Sequence, residues 1–294
     1  MITDVADVAT AVQSLFKDQD VSVERRNTVS GGCINRTSVL VLSNGSKLFL
    51  KENSGRYPGM FDAEARGLEA LRRADGPRAP APYACYEDRS AQFLLLEYIT
   101  PGSRSGRFWE SFGRAMARLH KTNTAAQYGF EEDNYIGSTP QENSWTSSWT
   151  EFFAEQRLRY QIRLARDKGL ADDRMTKGVE SIISRLESLL RTPEHPSLLH
   201  GDFWGGNFMV GSDGEAVIID PAVYYGDREA DLAMSELFGG FQPRFYSAYD
   251  EEFPLERDYK ERKELYNLYH MLNHLNLFGR GYAGSVNSIV RRFT

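Results

Sequence analysis

His200-Gly201-Asp202-Phe203-Trp204-Gly205-Gly206-Asn207 is followed by two short apolar runs, Phe208-Met209-Val210 and Ala216-Val217-Ile218-Ile219, and then by Asp220-Pro221. Gly211-Ser212-Asp213-Gly214 separates the runs, a turn cluster of the kind that joins antiparallel strands. An acid, an amide shortly after it and a second acid beyond a hairpin are the parts of a phosphoryl-transfer site, in kinase catalytic-loop order. Read this way, Asp202 is the base that takes the proton of an attacking hydroxyl. Asn207 and Asp220, counted as equidistant from the middle of the turn, are expected side by side at the open end of the hairpin. There a carboxylate and an amide oxygen share Mg2+ with the phosphates of ATP. The spacing alone also describes a solvated turn rich in Asn and Asp, because short motifs recur by chance. The rest of the chain has to decide.

Upstream, Lys47-Leu48-Phe49-Leu50-Lys51 alternates as a strand. The segment 60–71 then repeats Phe61, Ala65, Leu68 and Leu71 at helical spacing. Glu64, three after Phe61 and four before Leu68, falls on the buried face. A buried carboxylate needs a charged partner, and Lys51 is the natural one. A strand Lys held by a helix Glu grips the α- and β-phosphates in a kinase; the alternative is an exposed strand end beside a solvated acid. Between the first two strands lies Ser30-Gly31-Gly32-Cys33-Ile34-Asn35, small enough for backbone N–H groups to approach a phosphate. It is neither a GxGxxG nor a Walker A motif. Gly31, Gly32 and Cys33 are expected beside the nucleotide. Leu94-Leu95-Leu96-Glu97-Tyr98-Ile99 reads as a buried strand, and in a kinase the Glu97 carbonyl and the Ile99 amide are the groups that meet adenine.

The chain has 294 residues, enough for one large or two smaller cores, with ordinary globular composition at 41% hydrophobic and 26% charged. A formal charge of −6 gives no support to a nucleic-acid or anionic-membrane surface. No apolar stretch approaches membrane-spanning length. Residues 1–16 carry Asp4 and Asp7 and lack a basic, apolar leader pattern. The two cysteines, Cys33 and Cys85, have no zinc-like spacing, so the chain reads as cytoplasmic and reduced. Strand-like runs dominate before residue 100 and helical patterns after it, with the turn cluster Thr100-Pro101-Gly102-Ser103 between them. The expected architecture is α+β and bilobal: a small β-rich nucleotide-binding lobe over 1–99 and a larger, mostly helical catalytic and substrate-binding lobe over 100–294.

The opening stretch, with Asp220-Pro221-Ala222-Val223-Tyr224-Tyr225-Gly226-Asp227-Arg228-Glu229 and Leu237-Phe238-Gly239-Gly240-Phe241, resembles the fructosamine kinase (ketosamine-3-kinase) family, relatives of the aminoglycoside phosphotransferases. Gly31-Gly32-Cys33-Ile34-Asn35, Asn134-Tyr135-Ile136-Gly137, Trp149-Thr150-Glu151-Phe152-Phe153 and Leu272-Asn273-His274-Leu275-Asn276-Leu277-Phe278-Gly279 resemble it too, so the likeness runs along essentially the whole chain. A protein kinase is disfavoured: Pro-Ala follows Asp220 where that family has Phe-Gly, and no Ala-Pro-Glu segment appears. The resemblance implies a protein-kinase-like fold and ATP- and Mg2+-dependent phosphorylation of the C3 hydroxyl of a ketoamine, small or protein-bound. It makes Asp202 the base, Asn207 and Asp220 the metal ligands, and Lys51 with Glu64 the phosphate clamp. It places Tyr135, His274 and Asn276 near the substrate.

Trp204 has little reason to sit in a catalytic loop unless something flat or cationic packs on it, and a cation over an indole gains about 0.5–2 kcal/mol; the alternative is a hydrophobic plug under the loop. His270 and His274 are four apart on a helix, but apolar neighbours and the lack of an HExxH pattern argue against zinc. Asp231 is expected to brace the catalytic loop. The polar segment 139–149 carries Trp145 and Trp149 and suits either a cover over a site or packing onto the larger lobe. Phe108, Trp109, Phe112, Met116 and Leu119 form one core stripe, and Val179, Ile182, Ile183, Leu186 and Leu190 another. Beside the ketosamine kinase stand two alternatives: a kinase for another amine or sugar, such as an aminoglycoside or choline, and a binding protein that kept the fold. The sequence does not speak to oligomeric state.

Overall fold

The structure is a computed structural model and describes residues 1–17, 19–29 and 34–294. The chain divides into two compact units, Met1–Phe108 with Phe208–Asp220, and Trp109–Asn207 with Pro221–Thr294.

The first unit begins with helix α1 (Val8–Leu15), capped by Asp7, whose side chain accepts from the Thr10 amide. Strands β1 (Val23–Val29), β2 (Arg36–Leu42) and β3 (Lys47–Ser54) follow, then helix α2 (Met60–Arg73) and strands β4 (Pro82–Glu87) and β5 (Ala91–Glu97). The strands form one antiparallel sheet in the order β1-β2-β3-β5-β4. Strand alternation gives the sheet two different faces. Leu40, Leu42, Leu48, Leu50 and Leu95 form a core with Ala11 and Val12 of α1. Helix α2 buries Phe61, Ala65, Leu68 and Leu71 and packs against β4 and β5.

The second unit carries α3 (Phe108–Thr122), the hairpin β6 (Asn134–Ile136) and β7 (Thr139–Gln141), then α4 (Trp149–Phe152), which runs through a π-helical stretch, Phe153–Arg159, into α5 (Tyr160–Asp167). Next are α6 (Asp173–Ile183), α7 (Leu186–Leu189) and β8 (Ser197–Leu199). The hairpin β9 (Phe208–Val210) and β10 (Ala216–Ile218) returns to the first unit, and β11 (Tyr224–Gly226), α8 (Glu229–Leu237), α9 (Pro243–Glu252), α10 (Tyr259–Phe278) and α11 (Ala283–Phe293) complete the second. Both expected stripes are buried, from Phe108 through Leu119 and from Val179 through Leu190. The second stripe spans two helices, because α6 ends at Ile183.

Backbone pairing explains why the hairpin goes with the sheet. Gly102 N–H donates to the Val210 carbonyl at 2.9 Å, Ile218 N–H to the Arg78 carbonyl at 2.8 Å and Ser105 N–H to the Gly214 carbonyl at 3.2 Å. A Cβ at position 102 would collide with the Gly211 carbonyl, so glycine permits this approach. Residues 100–108 are therefore fastened to the hairpin, and the division of the chain falls at Phe108/Trp109. Among the described residues no helix is long and apolar enough to cross a membrane.

Candidate active site

In the first unit, alternation along β3 sends Leu48 and Leu50 into the α1 core and leaves Lys51 on the opposite face. The helical period of α2 brings Glu64 to it. Lys51 Nζ donates to Glu64 Oε1 and to Asp220 Oδ1, both at 2.6 Å. The Lys51 and Glu64 side chains are only 6% and 11% exposed, whereas that of Asp220 is 49% exposed, so Glu64 is the buried partner of the cation. Burial works against the Lys51 charge, but the Asp220 and Glu64 carboxylates outweigh it and hold its pKa above the ordinary lysine value. Burial and the Asp220 charge push the Glu64 carboxyl up, with the Lys51 ammonium opposing them.

Asp220 follows β10 with φ of 55°, one of two non-glycine residues with positive φ among those described. Such a conformation costs about 1–2 kcal/mol and needs the surroundings to hold it. The hairpin register corrects one expectation: the ladder ends at Phe208↔Ile218, so Asp220 lies two residues beyond it on one arm and Asn207 one before it on the other. They are not equidistant from the turn.

Ile99 is buried. The Glu97 amide donates to the Ala81 carbonyl at 2.8 Å, and its carboxylate pairs with Arg78 and accepts from the Ala81 amide at 3.1 Å. Glu97 thus ties β5 to the segment before β4. Gly31, Gly32 and Cys33 lie outside the described residues, and at the end of that loop Asn35 Oδ1 accepts from Asn53 Nδ2 at 2.7 Å.

In the second unit the catalytic-loop sequence alternates between anchored and presented side chains. His200 and Phe203 are fully buried, and Phe203 makes edge contacts with Phe112 and Phe241 at ring separations of 5.6 and 5.2 Å. Asp202 and Trp204 are half-buried. Asp231, on α8, holds the loop backbone: its Oδ2 accepts from the His200 amide at 2.7 Å and its Oδ1 from the Gly201 amide at 2.9 Å. His120, at the end of α3, adds a 3.2 Å contact to Asp231 Oδ2 and reaches Tyr249 Oη at 2.8 Å through its other nitrogen. Burial opposes the Asp231 charge, yet the His120 hydrogen bond and charge carry its pKa below the ordinary value. Gly201 has φ of 82°, and a Cβ there would collide with the Ala222 carbonyl.

Asn207 Nδ2 donates to the Asp202 carbonyl at 2.9 Å and to Asp202 Oδ2 at 2.8 Å. This fixes the amide and makes Oδ1 the atom Asn207 offers to a cation. The Asn207 amide oxygen, and in the first unit the Asp220 carboxylate, are each hard oxygens of the type Mg2+ takes when most of its shell is water and phosphate. Among the described residues no group of three or more His, Cys, Asp or Glu side chains is arranged to hold a metal.

The residues expected near the substrate separate. The Trp204 ring lies against Gly206, where a Cβ would meet it, and its edge meets Phe238 at 5.6 Å. It is therefore a presented side chain, not a buried plug. Phe238 in turn stands 5.0 Å from the half-buried His274 ring. Tyr135 is half-buried on β6, beside Asn134, whose Nδ2 donates to the Val223 carbonyl at 2.7 Å. Asn276 departs from expectation: it is buried, and its Nδ2 donates to the Gln161 carbonyl at 2.9 Å and Oε1 at 2.7 Å, fastening α10 to α5. Trp149 is core and donates to Tyr266 Oη at 3.2 Å, whereas Trp145 is exposed. Two features carried no sequence signal: the Lys51–Asp220 pair, 169 residues apart, and the His120–Asp231 contact, 111 apart.

The family model described as fructosamine kinase matches residues 5–294. The chain belongs to the fructosamine kinase family. A probable ketoamine kinase of Synechocystis sp. is 44% identical over 276 residues, covering 93% of this chain and 92% of that one. The chloroplastic protein-ribulosamine 3-kinase of Arabidopsis thaliana is 41% identical over 279 residues, covering 94% and 84%. A crystal structure from Thermobifida fusca described as a fructosamine-3-kinase superposes with a TM-score of 0.86 at 33% identity, covering 98% of both chains. Membership gives the α+β architecture its class, the kinase-like fold, and makes the chain an ATP-dependent phosphotransferase of the ketosamine kinase type.

Proposed function

We propose that this kinase transfers the γ-phosphoryl group of ATP to the C3 hydroxyl of a ketoamine: a fructosamine, ribulosamine or erythrulosamine, free or protein-bound. The observation that carries the reading is the buried cation of Lys51 held between Glu64 and Asp220 at 2.6 Å, a phosphate clamp beside a carboxylate suited to a metal. Asp202 accepts the proton of the attacking hydroxyl and orients it. Its Oδ2 is fixed by Asn207, and the loop that carries it is fixed by Asp231 and Phe203. Lys51 binds the α- and β-phosphates while Glu64 keeps its ammonium in place, and the backbone of Glu97 and Ile99 receives adenine. Asn207 and Asp220 would hold Mg2+ through their oxygens, and the bound ion would neutralise phosphate charge. Positioning and charge neutralisation then supply most of the rate. A phosphate at C3, beside the C2 ketone, is a leaving group: enolisation towards C1 expels inorganic phosphate and leaves an imine, and water hydrolyses the imine to release the amine and a dicarbonyl sugar, so the activity serves deglycation in the cytoplasm.

The test is Mg2+-dependent ADP release with a panel of ribulose-, erythrulose- and fructose-lysine beside kanamycin and choline. Turnover confined to ketoamines is expected, and turnover only with another amine would overturn the substrate assignment. Asp202→Asn is expected to abolish turnover while nucleotide binding persists; near-native turnover in that variant would remove Asp202 from its role.

A further inference from the structure

The segment 72–81, from the last turn of α2 to the start of β4, meets three parts of the first unit that the proposed phosphoryl transfer uses. Glu64, the partner of Lys51, lies on α2 itself. At the end of that helix Arg72 Nη1 donates to the Ala79 carbonyl at 3.0 Å. Arg78 meets the other two. Its carbonyl accepts from the Ile218 amide at 2.8 Å and it pairs in parallel with Val217, so it runs alongside the hairpin arm that leads to Asp220. Its guanidinium pairs with the carboxylate of Glu97, the last residue of β5. The same carboxylate accepts from the Ala81 amide at 3.1 Å and stands 3.9 Å from Arg72. The Arg78 and Glu97 side chains are 44% and 23% exposed, and an ion pair so open to water adds little to stability. What the pair fixes is geometry, because one residue holds the strand end by its side chain and the Asp220 arm by its backbone.

We propose that Arg78 is a positioning residue for the nucleotide: by bracing the Glu97 end of β5 against the arm of Asp220, it sets the spacing between the adenine contact and the metal-bound phosphates. Recognition of the base and placement of the phosphates are then coupled through one side chain. The proposal rests on the nucleotide contacts read above, in which the Glu97 carbonyl accepts from the 6-amino group of adenine and Asp220 ligates Mg2+. Without the guanidinium, β5 keeps its ladders to β3 and β4 and the hairpin keeps its own pairing. What is lost is the brace between them, and small displacements of bound groups are costly to affinity and rate alike.

Calorimetry measures the binding of ADP and of purine riboside diphosphate, which lacks the 6-amino group, with and without Mg2+, to wild type, Arg78→Met and Arg78→Lys. Two ratios are read: the preference for ADP over the analogue in Mg2+, and the strengthening of ADP binding by Mg2+. Wild type is expected to prefer ADP about three- to tenfold, the range of one neutral hydrogen bond, and to bind it more tightly with Mg2+. In Arg78→Met both ratios are expected to fall about threefold or more. Arg78→Lys keeps a cation at a contact made by one nitrogen, Nη2, and is expected to restore both to within about twofold of wild type. Arg26→Met removes an ion pair of similar exposure from the α1 face of the same sheet and should leave both ratios unchanged. Should Arg78→Met fail to fold, Glu97→Gln, which keeps an acceptor for the Ala81 amide and loses the charge, carries the same test. Both ratios unmoved, with or without a lower urea midpoint, overturn the proposal and leave the pair a structural one. A fall in one ratio alone overturns the coupling, since Arg78 then braces that end only. A fall that Arg78→Lys does not reverse assigns the effect to local unfolding and likewise overturns it. A wild type that binds the analogue as tightly as ADP, or gains nothing from Mg2+, fails the nucleotide contacts themselves, a result read before any variant is made.

Discussion

Replacing Glu64 tests whether the buried ion pair serves phosphate binding or only the fold. Lys51 Nζ is 2.6 Å from both carboxylates, but the two contacts are not equivalent. Asp220, with 49% of its side chain exposed, is screened by solvent, whereas Glu64 is 11% exposed. If Asp220 ligates a metal as proposed, Glu64 is the group left to fix the ammonium. A hydrogen bond to a charged group contributes about 1.5–3 kcal/mol and a neutral one about 0.5–1.5 kcal/mol. Glu64→Gln keeps an acceptor and loses the charge, a difference of about 1–1.5 kcal/mol. Glu64→Ala loses the whole contact, about 1.5–3 kcal/mol. If Lys51 must be held for phosphoryl transfer, these losses appear in kcat/KM for ATP as about five- to tenfold for Gln and about ten- to a hundredfold for Ala. ADP release over a range of ATP concentrations reads them, and urea unfolding reads the accompanying loss of stability. Both variants retaining kcat/KM within about twofold of wild type while the urea midpoint falls would refute the argument. The pair would then be a structural one.

Asp231→Asn should destabilise the protein by about 1–3 kcal/mol and lower kcat more than it raises KM, because one amide N–H then faces backbone donors at His200 or Gly201; urea unfolding and steady-state kinetics check this. Gly201→Ala should cost at least about 1–2 kcal/mol in thermal unfolding, since its φ of 82° is unfavourable for alanine and the new methyl meets the Ala222 carbonyl. Two buried groups predict opposite pH dependences of stability. Burial and the Glu229 charge push Asp227 up to about 7, so the folded state keeps that proton longer than the unfolded one; this contribution is present at low pH and lost as pH rises to about 7. Burial pushes His270 down to about 3, so the folded state refuses a proton the unfolded chain accepts, and stability is lost as pH falls below the ordinary imidazole value. Asp227→Asn should therefore gain stability relative to wild type between about pH 5 and about pH 8 in urea unfolding; a relative loss would reverse the assignment.

Much of the first unit was legible because its information is local. Alternation from Lys47 to Lys51 and the helical stripe of Phe61, Ala65 and Leu68 place Lys51 and Glu64 without reference to anything far along the chain. The failures have a common physical cause. Counting from the turn misplaced Asn207 and Asp220 because the register is set by which backbone groups pair across Gly211 and Glu215, not by the middle of the glycine cluster. The resemblance put Asn276 near the substrate but could not say that Gln161 would be waiting to bury it. Composition cannot separate Phe278, half exposed, from Phe245, wholly buried.

Asp220 carries this furthest. The residue before a proline is biased toward extended backbone, and a non-glycine side chain disfavours the left-handed region. The sequence Asp220-Pro221 therefore argues locally against the conformation observed, with φ of 55°. Among the described residues, its side chain is engaged by a contact from a distant part of the chain, the ion pair to Lys51. A local preference overridden by one long-range polar contact is what a functional site looks like when the rest of the fold obeys its local rules. On that ground the strained backbone of Asp220, more than the better-behaved Glu64, is the local feature that points to a site.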